Sequence, residues 1–163
     1  KHLGMEYHAI DGSQTIVTQL QERFPEYEHT IKCGDFTNKL PFEGEFDLIV
    51  DRASLTCNST DSIVNAIKLI RKQLNVGGYF IGIDWYSDSS SDAVKGIRVD
   101  EFTRTNIEEG GFTNTGNVHF SSHDHIKDLF SDFEFISLQH KLLNNYLNKI
   151  DFGMWNFTVK NGI

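Results

Sequence analysis

Short apolar runs alternate along this chain with apolar stripes at helical spacing. Tyr7-His8-Ala9-Ile10 reads as a strand that ends on Asp11-Gly12-Ser13. Ile16, Val17, Leu20 and Phe24 then share one face of a helix that Ser13 caps and Pro25 ends. Thr30 to Cys33 reads as a second strand, closed by Gly34-Asp35-Phe36 and followed by loop around Pro41 and Gly44. Phe46, Leu48, Ile49 and Val50 make the apolar run of a strand covered on both faces, and Asp51-Arg52 breaks it. Asn58 to Asp61 supplies caps for a helix through Leu74, with Ile63, Ala66, Ile67, Ile70 and Leu74 on one stripe and Lys68, Arg71 and Lys72 near its C-terminal end. Gly77-Gly78 stops that helix, and Tyr79 to Trp85 forms a further strand.

Strand and helix alternate twice, which predicts right-handed crossovers onto a mostly parallel sheet. Tyr86 to Asp92 is a Ser- and Asp-rich loop, Ala93 to Asn106 is expected to be helical, and Glu109 to Gly116 is polar connection. A short helix runs from His123 to Phe130. Phe133 to His140 and Met154 to Val159 alternate as strands, joined through Asn144-Asn145 and Lys149 to Gly153. With no crossover helix between them, they are expected to be an antiparallel pair closing the sheet.

The chain has 163 residues, enough for one domain with a proper core. Its net charge of -8 opposes phosphate backbones, so a nucleic-acid partner is not expected. No run approaches the roughly 20 apolar residues of a membrane helix, and no membrane partner is expected. Cys33 and Cys57 form neither a disulfide scaffold nor a zinc knuckle, which points to a reducing cytoplasm.

Ligands of open α/β sheets sit outside the carboxyl ends of the strands, so the polar residues there are the candidates. Asp51 and Arg52 end one strand, although a surface ion pair explains them equally well. Asp11 ends another, with helix capping as its blander role, and Phe36 beside Asp35 reads equally as core. His119, His123 and His125 lack the carboxylates of a metal set, so no metal is expected; surface and capping roles suit them, or a general base beside an acceptor.

The order of elements resembles the class I S-adenosylmethionine-dependent methyltransferases, over nearly the whole chain. The resemblance implies an α/β, Rossmann-like three-layer sandwich: a mostly parallel twisted sheet with a C-terminal antiparallel pair. It implies S-adenosylmethionine as cofactor. Asp11, Gly12 and Ser13 match the motif that holds the ribose hydroxyls, Gly34, Asp35 and Phe36 the adenine motif, and Asp51, Arg52 and Ala53 the end of the fourth strand. Leu74 to Phe80 matches the turn into the fifth strand. Asp84, Trp85, Tyr86 and His119 are placed by position as contacts to a small-molecule acceptor. The family's first strand and its Gly-rich loop have no counterpart in this sequence. The expectations are a fragment, direct pairing of the strand at Tyr7 to Ile10 with that at Leu48 to Val50, or a homodimer in which a second copy fills the gap. A non-catalytic interaction protein that keeps the sheet is the alternative function.

Overall fold

A computed structural model describes residues 4–147 and 151–162. Their contacts divide into two compact units, Lys1–Glu43 and Gly44–Ile163.

The first unit is one strand–helix–strand turn of chain. β1 (Ala9–Asp11) pairs in parallel with β2 (Ile31–Cys33), with Ala9 opposite Ile31 and Asp11 opposite Cys33. Between them lies α1 (Gln14–Arg23), entered through Ser13, whose hydroxyl accepts from Ile16 N–H. The cap satisfies one of the amides that a helix start leaves open. Val17 and Ile31 are the buried apolar side chains, and the Gln21 side-chain amide ties the helix to the carbonyl of Ile31 at 2.9 Å.

The second unit carries a four-stranded sheet in the order β3-β4-β9-β8, built from β3 (Phe46–Arg52), β4 (Leu74–Tyr86), β8 (Glu134–Leu143) and β9 (Phe152–Lys160). β3 and β4 are parallel, and the expected C-terminal antiparallel pair is β8 with β9, which joins the sheet along β4. The crossover between β3 and β4 is α2 (Thr60–Gln73), capped by Ser59 and burying Ile63, Ala66, Ile67 and Ile70 on its stripe. α3 (His123–Leu129) starts on the Ser122 cap. Phe80, Trp85, Phe130 and Phe157 form the aromatic centre of the unit, with Phe130 and Phe157 centroids 4.9 Å apart and Trp85 edge-on to Phe157 at 5.2 Å.

The structure corrects the sequence reading in two places. α2 ends at Gln73, and the strand begins at once at Leu74, opposite Phe46, rather than at Tyr79. The stretch from Ala93 to Asn106 is not a helix: it holds β5 (Ile97–Arg98) and β6 (Thr103–Thr105), which with β7 (Val118–His119) make a small antiparallel sheet. Gly96 has φ +70, and a Cβ there would lie 2.5 Å from the Thr105 carbonyl, so the chain turns where a helix would continue. Asp100 holds that turn by accepting from the amides of Phe102 and Thr103, and also from Thr60 N–H and hydroxyl at the start of α2. These bonds leave its carboxylate ionised down to about 2, in spite of the burial that opposes them.

Lys149 and Ile150, part of the connection read between the last two strands, lie outside the described residues.

Candidate functional site

In the first unit two acids close two neighbouring parallel strands. Asp11 is the last residue of β1, and one of its carboxylate oxygens accepts from Ser13 N–H at 2.7 Å. The other carries no hydrogen bond among the described residues, and Gly12 beside it has open space above its Cα. Gly34 follows β2 and donates its N–H to the Asp11 carbonyl at 3.0 Å, which fixes the two loop starts side by side. The Asp35 carboxylate accepts from Thr37 N–H at 2.9 Å, from the Thr37 hydroxyl at 2.6 Å and from the Asn38 amide. These bonds, the Thr37 hydroxyl first, hold it below the usual carboxylate range. Phe36 is half-buried.

In the second unit the carboxyl ends of β3 and β4 present a different arrangement. Asp51 lies at the end of β3, just before the chain bends through Ala53, which has φ 56, into a single 3-10 turn, Leu55–Cys57. Leu55 N–H points back and donates to one Asp51 oxygen at 3.2 Å, and the buried Thr56 hydroxyl donates to the Ala53 carbonyl at 2.7 Å. The other Asp51 oxygen is buried without a partner, and so is the indole N–H of Trp85. The two groups are neighbours: the indole favours the ionised carboxylate, yet the pair falls short of a formed hydrogen bond. Burial dominates and pushes the Asp51 carboxyl up to about 6.

Asp84, one strand over, is also left-handed, with φ 55. The pairing of β4 with β9 shifts register between Gly82 and Trp85, and the Asp84 amide donates instead to the Asn156 side-chain carbonyl at 2.7 Å. This bulge turns the Asp84 carboxylate towards two cations: Lys141 Nζ of β8 at 2.6 Å and Arg52 Nε of β3 at 3.4 Å. Lys141 first, then Arg52, hold Asp84 below the usual carboxylate range.

The structure thus brings Asp51, Arg52, Ala53 and Asp84 to one edge of one sheet. It separates Trp85 and His119 from that edge's exposed surface. Trp85 is fully buried against Phe80, Phe130 and Phe157. His119 is fully buried too, bonded through Nδ1 to the Thr103 hydroxyl at 3.0 Å and through Nε2 to His125 Nε2 at 3.2 Å, while His125 stacks on Phe102. Burial, then the facing His125, lower His119 to about 3, so the pair stays neutral. Tyr86 is half-buried against Phe112, and burial raises its phenol. Lys141 and Asn156 were not singled out from the sequence. They reach Asp84 from 57 and 72 residues away, and no local pattern marks them. Among the described residues no three His, Cys, Asp or Glu side chains converge as a metal set.

A family model described as a methyltransferase domain matches residues 1–82, half of the chain. The chain belongs to this methyltransferase family, of the class I, S-adenosylmethionine-dependent kind. No curated protein sequence matches it. Among solved structures, the chain is similar to an S-adenosylmethionine-dependent methyltransferase from Methanosarcina mazei, with a TM-score of 0.71 and 15% identity over 93% of this chain and 80% of that one. TehB from Haemophilus influenzae aligns with a TM-score of 0.63 and 15% identity over 98% of this chain. The chain spans about half of that protein, 51%. The N-methyltransferase NodS from Bradyrhizobium japonicum, solved with S-adenosyl-L-homocysteine, gives 0.62 and 15% identity over 94% of this chain and 65% of that one. At these identities the likeness shows the Rossmann-like α/β fold expected from the sequence.

Proposed function

We propose that this chain transfers a methyl group from S-adenosylmethionine to a small-molecule acceptor. The observation that carries the reading is the pair of acids closing β1 and β2, Asp11 with one open carboxylate oxygen and Asp35 held ionised by its own turn. A carboxylate accepts from both hydroxyls of a ribose diol, and Asp11 is fixed for that by Ser13 N–H. Gly12, with no atom within 4 Å of where a Cβ would stand, leaves the approach clear. Asp35 keeps lone pairs for the adenine amino group, and half-buried Phe36 offers an apolar surface to the ring. The residues therefore fit the adenosyl half of the cofactor; the methionine half has no assigned partner.

When bound, the cofactor supplies a methyl group on a sulfonium that needs no covalent help from the protein. What remains for the chain is to align the acceptor and exclude water. The carboxyl edge of β3 and β4 is the surface for that. Asp51, raised to about 6 beside the buried Trp85 indole, is able to hold or release a proton near neutrality. Tyr86 and Asp84 flank it at the end of β4. Two free thiols, Cys33 and Cys57, suit a reducing, cytoplasmic setting. No helix of the described residues is long and apolar enough to cross a membrane.

Calorimetric titration with S-adenosylmethionine tests the reading. Saturable heat is expected, with affinity about tenfold weaker in Asp11→Asn, the loss of one charge-assisted hydrogen-bond set. Absence of heat at millimolar ligand would leave a sheet that only binds partners and would end the methyl-transfer reading.

A further inference from the structure

Two exposed cations converge on one carboxylate at the edge where the acceptor is placed. Arg52 comes from β3 and Lys141 from β8, with β4 and β9 between them in the sheet, and Asp84 of β4 holds both. Their side chains are 77% and 47% exposed, whereas that of Asp84 is 21% exposed. The contacts use one Arg52 nitrogen and one Lys141 proton. Both Nη groups of Arg52 and the remaining Lys141 donors have no partner among the described residues.

An ordinary surface ion pair has little effect and needs no special backbone. This one sits on a left-handed aspartate, a conformation that costs on the order of 1 kcal/mol or more and persists only where the surroundings enforce it. Asn156 enforces it here by accepting the Asp84 amide. The chain carries 23 acids against 15 Lys and Arg, so two cations sharing one acid depart from the background charge. Two positive charges against one negative leave a net charge of +1, which matches a single carboxylate better than a doubly charged phosphate. The free Arg52 fork has the planar, two-pronged geometry that carboxylates fill.

We propose that Arg52 and Lys141, positioned by Asp84, bind a carboxylate group of the methyl acceptor. The acceptor is then a carboxylic acid, anchored through its anionic end while its nucleophilic atom lies towards the carboxyl ends of β3 and β4. This rests on the methyl-transfer reading for the word acceptor, but the anion site itself stands on the geometry alone. In this arrangement Arg52 belongs to the acceptor rather than to the cofactor.

Benzoate serves as the probe, with benzyl alcohol as its uncharged match, in an amide NMR titration of the isotope-labelled chain. Saturable shifts at Arg52, Asp84 and Lys141 are expected with benzoate and not with benzyl alcohol. Arg52→Gln with Lys141→Gln, both at exposed side chains, is expected to weaken benzoate at least threefold, about the effect of losing one exposed charge pair. Sodium chloride at about 0.5 M is expected to weaken it in the unsubstituted chain, a reading that needs no variant. Equal shifts with both probes, or a double variant that binds benzoate within threefold of the parent, overturns the proposal. The same sample is titrated with S-adenosylmethionine. Cofactor binding without benzoate binding sinks the carboxylate site alone, and benzoate binding without cofactor binding sinks the methyl-transfer reading alone.

Discussion

Replacing Asp51 by asparagine is expected to stabilise the second unit, and to do so more at higher pH. The carboxyl is raised by burial from 3.8 to about 6. A group with a raised native pKa binds more protons in the folded state than in the unfolded state between those two values, so stability falls as pH climbs through the window. The full cost, reached above the native value, is about two units at about 1.4 kcal/mol each, or roughly 3 kcal/mol. Asparagine removes the charge but keeps a side-chain oxygen for Leu55 N–H. The gain from the substitution, measured as the difference in urea unfolding free energy from the parent, is expected to grow by roughly 1.4 kcal/mol between about pH 5 and about pH 7.5. Taking the difference between the two proteins cancels the titration of every other group. A gain that is the same at both pH values would refute the buried-carboxylate argument. If the stabilised variant also loses methyl-donor or acceptor binding, the burial cost is one that function retains.

The remaining predictions concern packing and acid. A Cβ at Gly82 would run into the Phe157 ring, so Gly82→Ala is expected to cost about 1–3 kcal/mol in urea unfolding, and an unchanged midpoint would contradict the close approach of β4 to that ring. The buried His119 is lowered to about 3, so the unfolded chain binds the extra proton below about 6.5 and stability is lost as pH falls from there towards 3. His119→Gln is expected to flatten this acid limb, by on the order of several kcal/mol at its foot. An unaltered acid limb would mean that the histidine pair opens before it titrates.

The elements that the sequence revealed are those whose signals are local. Ser13 and Ser59 both cap the helices expected of them, and the stripe from Ile63 to Ile70 is the buried face of α2. The alternation in the last two strands yields the antiparallel pair. The stretch from Ala93 to Asn106 does not form the expected helix: Val94, Ile97 and Val99 are exposed, so its apolar residues make no continuous core stripe. What shapes it is Asp100, whose carboxylate also caps α2 across 40 residues, a contact that no window of sequence contains. Gly96 was the available hint. Asp11, Asp35 and Asp51 were each legible as acids following apolar runs. The inward turn of Trp85 and the bulge that frees Asp84 depend on the register of β9, fixed some 70 residues later.

Among the buried ionisable groups described in the second unit, His119 and Asp51 differ in how completely their neighbours satisfy them. His119 has a partner on each ring nitrogen, Thr103 on one side and His125 on the other, and its neutral form leaves nothing open. Such a closed pair has both ring nitrogens already engaged within the fold. Asp51 is half satisfied: Leu55 N–H takes one oxygen, and the other lies buried beside an indole N–H that also lacks a bond. The indole N–H and the Ser54 amide offset part of the burial of that oxygen but not all of it, since the carboxyl is still raised to about 6. This arrangement beside two left-handed residues, Ala53 and Asp84, places incompletely satisfied polarity and backbone strain at the same strand ends. Asp51 is therefore the carboxylate of this unit whose burial a ligand could relieve. The urea experiment at two pH values is then also a test of site assignment, because satisfaction by a ligand would lower the cost that asparagine relieves.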